Sequence, residues 1–379
     1  MTSRQFCILL ALLTISVKVQ KLPCFMFEVL GKDSFVMFLF YMLVNVVGIF
    51  MALFILKIKQ RRNQLGLTES RFEIWLNKTI NLFAIFYFIV QVLLLYEHIQ
   101  DLFSNTLFDN MPWWIFSFLL LFAVFYLAHT GIKNIALGGE LYFFAIVLSY
   151  LVIAILSGVH TDFSNVLPFQ TIDFHLLSNN FIKFNSWFGD FFILLFLGSK
   201  TKKISVAKTL LTYCFSLIFV VYLVVCFNGI YLNHTALQSG LIAEITEQSM
   251  LGMNIGRIDW FLILITEIGV VLSCGAMFYF AVSSARKTMP KVKAIWIEIL
   301  IALVVYYFDI FYFVDMHAKR NFFYGFVSYF SISLKIVGIS LLFLTAVAWF
   351  FKIRKKSLKN NQKMGVNTWK DSLKTMLRS

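Results

Sequence analysis

Long apolar segments alternate with short polar loops along nearly the whole chain. A helix that crosses the hydrocarbon core of a bilayer needs roughly 20 residues, and by this measure the pattern predicts about ten transmembrane helices. The predicted helices cover about residues 5–30, 34–56, 73–97, 112–129, 136–157, 185–199, 209–230, 258–282, 294–313 and 326–351. The predicted fold is therefore an all-α membrane protein.

Two of these segments are interrupted. The first is apolar up to Val17, but Lys18, Gln20 and Lys21 follow before a second apolar run begins at Leu22. The sixth has a clean apolar stretch only at residues 191–197, which is too short to cross the membrane alone. Unwound backbone at membrane depth persists only where protein or a water-filled cavity satisfies its polar groups. We therefore predict that helices 1 and 6 are broken.

The two interrupted segments occupy corresponding places in the two halves of the chain. Paired interruptions of this kind are typical of transporters built from two inverted repeats, which bind their substrate near the bilayer midplane. The pattern therefore predicts a five-plus-five inverted repeat, the LeuT-like architecture, with a binding site between helices 1 and 6.

Composition and charge support a single membrane domain. Of 379 residues, 60% are hydrophobic and 14% are charged, whereas soluble domains are nearer half apolar and a quarter charged. We assign residues 1–353 to one transmembrane permease-like domain and residues 354–379 to a basic tail. Basic residues concentrate in alternate loops and in the tail, so the positive-inside rule places both termini in the cytoplasm. The same placement accounts for the net charge of +14 without nucleic acid as a partner.

Motifs for cofactors, metals and catalysis are not evident in the sequence. It contains no P-loop, no GxGxxG, no CxxC and no histidine pair at i, i+4 spacing. A membrane-embedded lipid-processing enzyme would have to use His160, Asp162, Asp173 and His175, which show no catalytic spacing. We therefore expect no cofactor, no metal and no enzymatic activity.

Four ionisable residues fall near mid-membrane: Lys18, Asp190, Glu267 and Lys335. An isolated charge there costs at least about 2.5–3.5 kcal/mol, so such side chains face a cavity or a partner. Lys18 and Asp190 lie at the helix breaks, where exposed backbone dipoles suit a carboxylate or an ammonium group. We predict that these two face a ligand, while Glu267 and Lys335 either form an internal ion pair or couple binding to ions.

The predicted binding site combines the residues that flank the two breaks with one mid-membrane tyrosine. Its members are Ile15, Ser16, Val17, Lys18, Tyr87, Trp187, Phe188, Gly189 and Asp190. Glu140 joins Glu267 and Lys335 as a predicted coupling or ion-pair residue.

Short motifs in a fixed order run along the chain. They are Ser3-Arg4-Gln5, Leu22-Pro23, Gly131-Ile132, Ile135-Ala136, Glu140, Val166-Leu167-Pro168, Phe188-Gly189-Asp190 and Arg257-Ile258-Asp259. With these motifs the chain resembles the spore germination permease family, the B subunits of GerA-type nutrient germinant receptors, in the amino acid–polyamine–organocation transporter superfamily. It departs from that family at Lys18, where a glycine-containing stretch is usual, and at Asp190, where glutamate is more common.

The resemblance implies a subunit in the spore inner membrane that binds a small nutrient such as an amino acid. It would act with an A subunit and a lipoprotein C subunit and couple binding to ion release. The alternative is a proton- or sodium-coupled secondary amino-acid transporter, in which Lys18 or Glu140 would be the proton-linked group.

Overall fold

In the computed structural model the described residues are mostly α-helical and include no β-strand. These residues are 1–19, 22–64, 71–106, 113–161, 174–201, 204–231, 258–312, 328–330, 332–333, 335–341 and 343–351. The helices are α1 (Ser3–Val19), α2 (Leu22–Leu30), α3 (Ser34–Gln64), α4 (Arg71–Thr106), α5 (Trp113–Thr130), α6 (Ile132–His160), α7 (Phe174–Asn180), α8 (Asp190–Ser199), α9 (Val206–Tyr231), α10 (Ile258–Thr288), α11 (Ala294–Tyr312) and α12 (Ser328–Phe351). Short 3₁₀ turns cover Gly31–Asp33 and Asn185–Trp187.

Within the described residues, seven segments are long and apolar enough to cross a membrane. They are Ser3–Leu30, Ser34–Gln60, Arg71–Gln100, Ile132–Val159, Val206–Ile230, Phe261–Thr288 and Ser328–Phe351. Helices α5, α8 and α11 occupy the positions of predicted spans four, six and nine, and α5 and α8 are shorter apolar helices. The helical membrane architecture is thus confirmed, while the count of ten and the inverted repeat remain predictions.

The structure describes the backbone at the second predicted break, but at the first it leaves two residues undescribed. Before α8, residues 181–189 form turns and a 3₁₀ turn, and the α-helix begins only at Asp190. In the first segment α1 ends at Val19 and α2 begins at Leu22, and the residues between them, Gln20 and Lys21, lie outside the described residues. The predicted tail, residues 354–379, and the loop residues Asp162 and Asp173 also lie outside them.

Helices α1 and α8 form the centre of the bundle. In the first apolar segment 81% of the residues are buried, against 33% in Ile132–Val159. Every residue of α8 from Asp190 to Gly198 is buried. The outer helices α3, α6 and α9 instead expose large apolar side chains, such as Leu43, Phe144 and Phe215. A broad exposed apolar surface of this kind is the lipid-facing surface of a membrane protein.

The Leu12 side chain of α1 packs closely against Gly139 of α6. A methyl group added at Gly139 of α6 would lie 3.2 Å from Leu12 Cδ1 of α1, closer than side chains normally approach. Membrane helices gain little from hydrophobic transfer between one another, so close packing at small residues is a main source of their association. The helix that carries Lys18 is therefore tightly fixed at the centre.

Helix α4 extends beyond the predicted span, which ends near residue 97, and continues to Thr106. The additional turns carry His98 and Gln100, and both side chains are buried. Hydropathy placed the end of the helix at the first polar residues, but these residues have partners on α5 and α10, so the helix continues inside the protein.

Candidate functional site

The site is built at the start of α8. Residues Asn185–Trp187 form a 3₁₀ turn, and Gly189 precedes the first α-helical residue, Asp190. The backbone N–H of Phe192 donates to the Gly189 carbonyl at 3.0 Å, which closes the first turn. Asp190 therefore lies at the positive end of the helix dipole, which favours a carboxylate there.

Lys18 of α1 and Asp190 form an ion pair at the centre of the bundle. Lys18 Nζ lies 2.6 Å from Asp190 Oδ1, and the two side chains are 0% and 1% exposed. Removing two charges from water is costly, and the cost is offset only when geometry and further hydrogen bonds are good. Lys18 and Asp190 thus lie together and pair with each other, and their predicted contact with a ligand stays a prediction.

A tyrosine completes the coordination of the carboxylate. The Tyr213 hydroxyl of α9 donates to Asp190 Oδ2 at 2.6 Å, and its side chain is 0% exposed. Each carboxylate oxygen of Asp190 thus has its own buried donor. Sequence reasoning missed Tyr213, because one tyrosine among 15 in an apolar helix carries no signal of its partner.

A second lysine lies beside this pair. Lys335 of α12 is 6% exposed, and its ammonium group donates to the backbone carbonyls of Asn185 and Phe188. Asp190 and Lys18 are the described charged groups within electrostatic reach of Lys335. Two ammonium groups and one carboxylate leave one positive charge in excess when both lysines are protonated. We call Lys18, Asp190, Tyr213 and Lys335 the central cluster.

Aromatic rings pack beside the central cluster. Lys18 Nζ lies 5.8 Å from the centroid of the Phe188 ring, a cation–π contact. Tyr41 stacks on Phe188 with centroids 4.4 Å apart and on Phe181 with centroids 5.1 Å apart. The Tyr41 hydroxyl is buried and has no hydrogen-bond partner within the described part of the chain. The aromatic layer beside Lys18 is therefore apolar apart from the buried Tyr41 hydroxyl.

The other predicted site residues lie around this cluster at varying distances. The Tyr87 hydroxyl packs directly against Gly189, where a Cβ atom would collide with it. Trp187 packs on Phe25 of α2, with ring centroids 5.9 Å apart. Along α1, Ser16 and Val17 are buried and Ile15 is half-buried against the core.

The predicted coupling residues do not lie together. Glu140 contacts the start of α1, with Oε1 3.0 Å from Arg4 Nε and Oε2 3.2 Å from Gln5 Nε2. Glu267 of α10 pairs with His98 of α4, with Glu267 Oε1 3.2 Å from His98 Nε2. Lys335 is the one of the three that lies at the central cluster.

The His98–Glu267 pair is a second buried ionisable site that the sequence did not reveal as a pair. The two side chains are 3% and 4% exposed. His98 Nδ1 and Glu267 Oε2 have no hydrogen-bond partner among the described residues. The Tyr150 hydroxyl of α6, also buried and without such a partner, is within electrostatic reach of Glu267. The pair is electrically neutral when it holds one proton.

A third set of buried polar side chains connects α4, α5 and α11. Gln100 Nε2 donates to Ser117 Oγ at 2.7 Å, and Ser117 Oγ donates to Asp309 Oδ2 at 2.5 Å. All three side chains are buried. In the searched residues no three His, Cys, Asp or Glu side chains group together as metal ligands would.

The comparisons with known proteins agree with this architecture. Residues 1–323 match the protein family described as spore germination protein. The match covers α1 to α11 and includes Lys18 and Asp190, whereas Lys335 lies beyond it. A search of curated proteins finds no match. Because the family match covers far more than half of the 379 residues and the helices are apolar, the chain is an integral membrane protein that belongs to the spore germination protein family.

Proposed function

We propose that the chain is the nutrient-sensing B subunit of a spore germinant receptor, and that its central cluster binds a small ligand carrying a carboxylate, such as an amino acid. The observation that supports this ligand class is the presence of two buried lysines, Lys18 and Lys335, around one acid, Asp190. A buried excess of positive charge is costly, and a bound carboxylate would neutralise it.

The chemistry of the cluster suits both ends of an amino acid. A carboxylate can accept hydrogen bonds from the ammonium groups of Lys18 and Lys335, and charge-assisted hydrogen bonds are the strong ones. An ammonium group can pair with Asp190, which already holds two donors. The stacked Phe188 and Tyr41 rings offer an apolar surface for a side chain, with the Tyr41 hydroxyl as a further donor.

Ligand binding would shift the equilibrium between two conformations of the bundle. The size of the shift is set by the difference between the ligand's affinities for the two conformations. The cluster is suited to this role because its residues come from α1, α8, α9 and α12, so one ligand would bridge four helices. The proposal includes a LeuT-like five-plus-five inverted repeat of ten spans with broken helices 1 and 6. It also includes cytoplasmic termini, a location in the spore inner membrane and partnership with A and C subunits.

The test uses the full chain in lipid nanodiscs and the protein amino acids as probes. Thermal unfolding is followed with each amino acid for the wild type, the double variant Lys18→Gln/Asp190→Asn and the control Lys208→Gln, which changes an exposed lysine of α9. The double variant neutralises both partners of the ion pair together, so the net charge of the cluster, including Lys335, stays as in the wild type. We expect at least one amino acid to raise the Tm of the wild type and the control but not of the double variant. No response in the wild type, or an equal response in the double variant, would contradict the proposal.

The alternative function is a secondary amino-acid transporter coupled to protons or sodium. The buried His98–Glu267 pair favours it, because ionisable pairs inside a membrane domain mark ion or proton pathways. Counterflow of a labelled amino acid in proteoliposomes that contain only this chain separates the two. Rapid exchange indicates a transporter, and binding without exchange indicates a sensor.

A further inference from the structure

An apolar groove lies between α3 and α12, near the ends of both helices. It encloses about 290 Å³, part of it open to the outside. Its lining consists of Phe54 and Ile58 of α3 and Phe343, Ala346, Val347, Phe350 and Phe351 of α12. None of these seven side chains is polar, so they offer a ligand neither a charge nor a hydrogen bond.

The spacing of residues along the two helices produces the groove. Four of the lining residues of α12 follow the i, i+3, i+4, i+7 spacing of one helix face, with the alanine and the valine in the middle. The two lining residues of α3 are one turn apart. Ala346 and Ile58 are 3% and 8% exposed, whereas the four phenylalanines are 50–61% exposed. Buried smaller side chains thus form the floor of the groove, and aromatic rings form its rim.

Contacts at two other places fix α12 in the bundle. A Cβ atom at Gly338 would collide with the Phe192 ring, so α12 packs closely on α8 there. Towards the end of α12, the Cζ atom of Arg62 of α3 lies 4.9 Å from the centroid of the Trp349 ring. The gap between the apolar faces of α3 and α12 therefore lies between helices that are held in place.

The groove faces the membrane. Its α3 residues lie in the last two turns of the apolar segment Ser34–Gln60, and its α12 residues lie at the end of Ser328–Phe351. Apolar cavities do not hold water, and a void deprives the side chains that line it of van der Waals contacts. An apolar group from the surrounding membrane is therefore the expected occupant.

The volume of the groove distinguishes an alkyl chain from a helix. A helix with its side chains is about 10–12 Å wide and rises about 5.4 Å per turn, so one turn occupies about 420–610 Å³. This is more than the 290 Å³ of the whole groove. About ten groups of the size of a water molecule, ~30 Å³ each, would fill that space, and a methylene group is of similar size. The groove therefore suits one alkyl chain.

Positive charge at the end of the groove suits the headgroup of a phospholipid. Lys57 is exposed and directly precedes Ile58. In the sequence, Phe351 is followed by Lys352-Ile353-Arg354-Lys355-Lys356. Basic residues next to a membrane span attract anionic headgroups, and the ends of apolar segments lie at the level of those headgroups. A lipid chain in the groove would bring its phosphate to this end.

We propose that the groove between α3 and α12 binds an acyl chain of a membrane phospholipid. The chain would pack on Ala346 between the phenylalanine rings of the rim. Because α12 also carries Lys335, the bound chain would stabilise the helix that supplies this lysine to the central cluster. The proposal does not rest on the ligand of the central cluster, and its test uses no amino acid.

The experiment uses the full chain in digitonin, whose apolar part is a rigid steroid rather than an alkyl chain. Dioleoyl-phosphatidylglycerol is compared with dihexanoyl-phosphatidylglycerol, which has the same headgroup and short chains. Thermal unfolding is followed with each lipid, and phospholipid that stays bound after gel filtration is counted per protein. We expect the long-chain lipid to raise the Tm and to stay bound, and the short-chain lipid to do neither. Equal effects of the two lipids would overturn the proposal.

A substitution that fills the groove locates the effect. Val347→Trp adds bulk at the floor, and the matched control Val47→Trp adds the same side chain on the lipid-facing surface of α3, where Val47 is 60% exposed. We expect Val347→Trp to lose both the Tm rise and the retained lipid, and the control to keep both. An unchanged response in Val347→Trp would overturn the site. If the wild type is a dimer and Val347→Trp a monomer, a second copy occupies the groove and the proposal is wrong.

A second pair of variants serves if Val347→Trp does not fold. Phe54 and Phe50 are one turn apart on α3 and are 59% and 54% exposed, but of the two only Phe54 lines the groove. We expect Phe54→Ala to raise the concentration of long-chain lipid at half-maximal Tm shift about tenfold, because the chain loses one aromatic wall, and Phe50→Ala to leave it unchanged. The same concentration in both variants would contradict binding in the groove.

Discussion

The interior of the bundle contains two ionisable sites that differ in their balance of charge. In the central cluster Lys18, Lys335, Asp190 and Tyr213 lie together, and two bases share one acid. In the other site His98 and Glu267 pair one to one. Both are almost completely buried, so burial alone does not distinguish them.

The difference lies in what each site still needs. The His98–Glu267 pair is neutral with a single proton and requires no further ion. When both lysines are protonated, the central cluster keeps one positive charge after Lys18 and Asp190 have paired, and among the described residues the Lys335 ammonium group donates to two backbone carbonyls. A buried charge without a paired opposite charge is costly, and a bound ligand of opposite charge would offset that cost. The comparison therefore favours the central cluster as the ligand site.

The largest effect is expected from Asp190→Asn. This change leaves Lys18 and Lys335 without an acid, and breaking one side of a buried ion pair costs about 3–5 kcal/mol. We expect a large fall in Tm and no detectable amino-acid binding. The double variant Lys18→Gln/Asp190→Asn should recover most of the Tm, measured in the same nanodiscs. A single variant as stable as the wild type would mean that the pair is not charged.

Lys335→Met is expected to lower ligand affinity without a comparable loss of stability. It removes the unbalanced charge and a charged hydrogen-bond donor to the ligand, which corresponds to roughly tenfold to hundredfold in Kd. The carbonyls of Asn185 and Phe188 lose a donor, so a small fall in Tm accompanies it. Binding titrations check this, with Lys208→Met on the exposed surface of α9 as the control. Unchanged affinity would remove Lys335 from the ligand site.

Tyr213→Phe should have an intermediate effect on the Tm. It deletes only the hydroxyl that donates to Asp190 Oδ2, and a hydrogen bond to a charged group contributes about 1.5–3 kcal/mol. We expect the Tm to fall, and the ammonium end of an amino acid to bind more tightly, because Asp190 loses a competing donor. Tyr222→Phe is the matched control, because its hydroxyl donates to the backbone of Ala154 instead. Equal effects on ligand binding in the two variants would contradict the assigned role.

The smallest loss of stability is expected from changes in the two histidine–glutamate pairs. Glu267→Gln alters the buried pair, and Glu298→Gln alters a pair whose histidine, His129, is 57% exposed. Glutamine can keep a hydrogen bond to His98, so we expect a loss of about 1 kcal/mol for Glu267→Gln and less for Glu298→Gln. Neither should change amino-acid affinity. A large affinity loss in Glu267→Gln alone would make this pair part of ligand coupling.

Sequence reasoning reached the helical membrane fold and the proximity of Lys18 and Asp190, because each charge interrupts an apolar segment. It did not reach Tyr213 or His98, since a tyrosine or histidine in a long apolar helix gives no indication of the direction in which it points. The sequence placed Glu267 and Lys335 in one group, and the structure places them at different sites. Which charges meet depends on the rotation of each helix about its axis, and packing between distant segments determines that rotation.

The most direct measurement for the central claim is competition at the site between an amino acid that stabilises the wild type, its methyl ester and the corresponding amine. The ester and the amine lack the carboxylate but keep the side chain and the amino group. The proposed charge balance predicts that neither competes, and that Lys335→Met binds the amino acid roughly tenfold to hundredfold more weakly. Competition by the ester at the affinity of the free amino acid would contradict a carboxylate-binding site at Lys18 and Lys335.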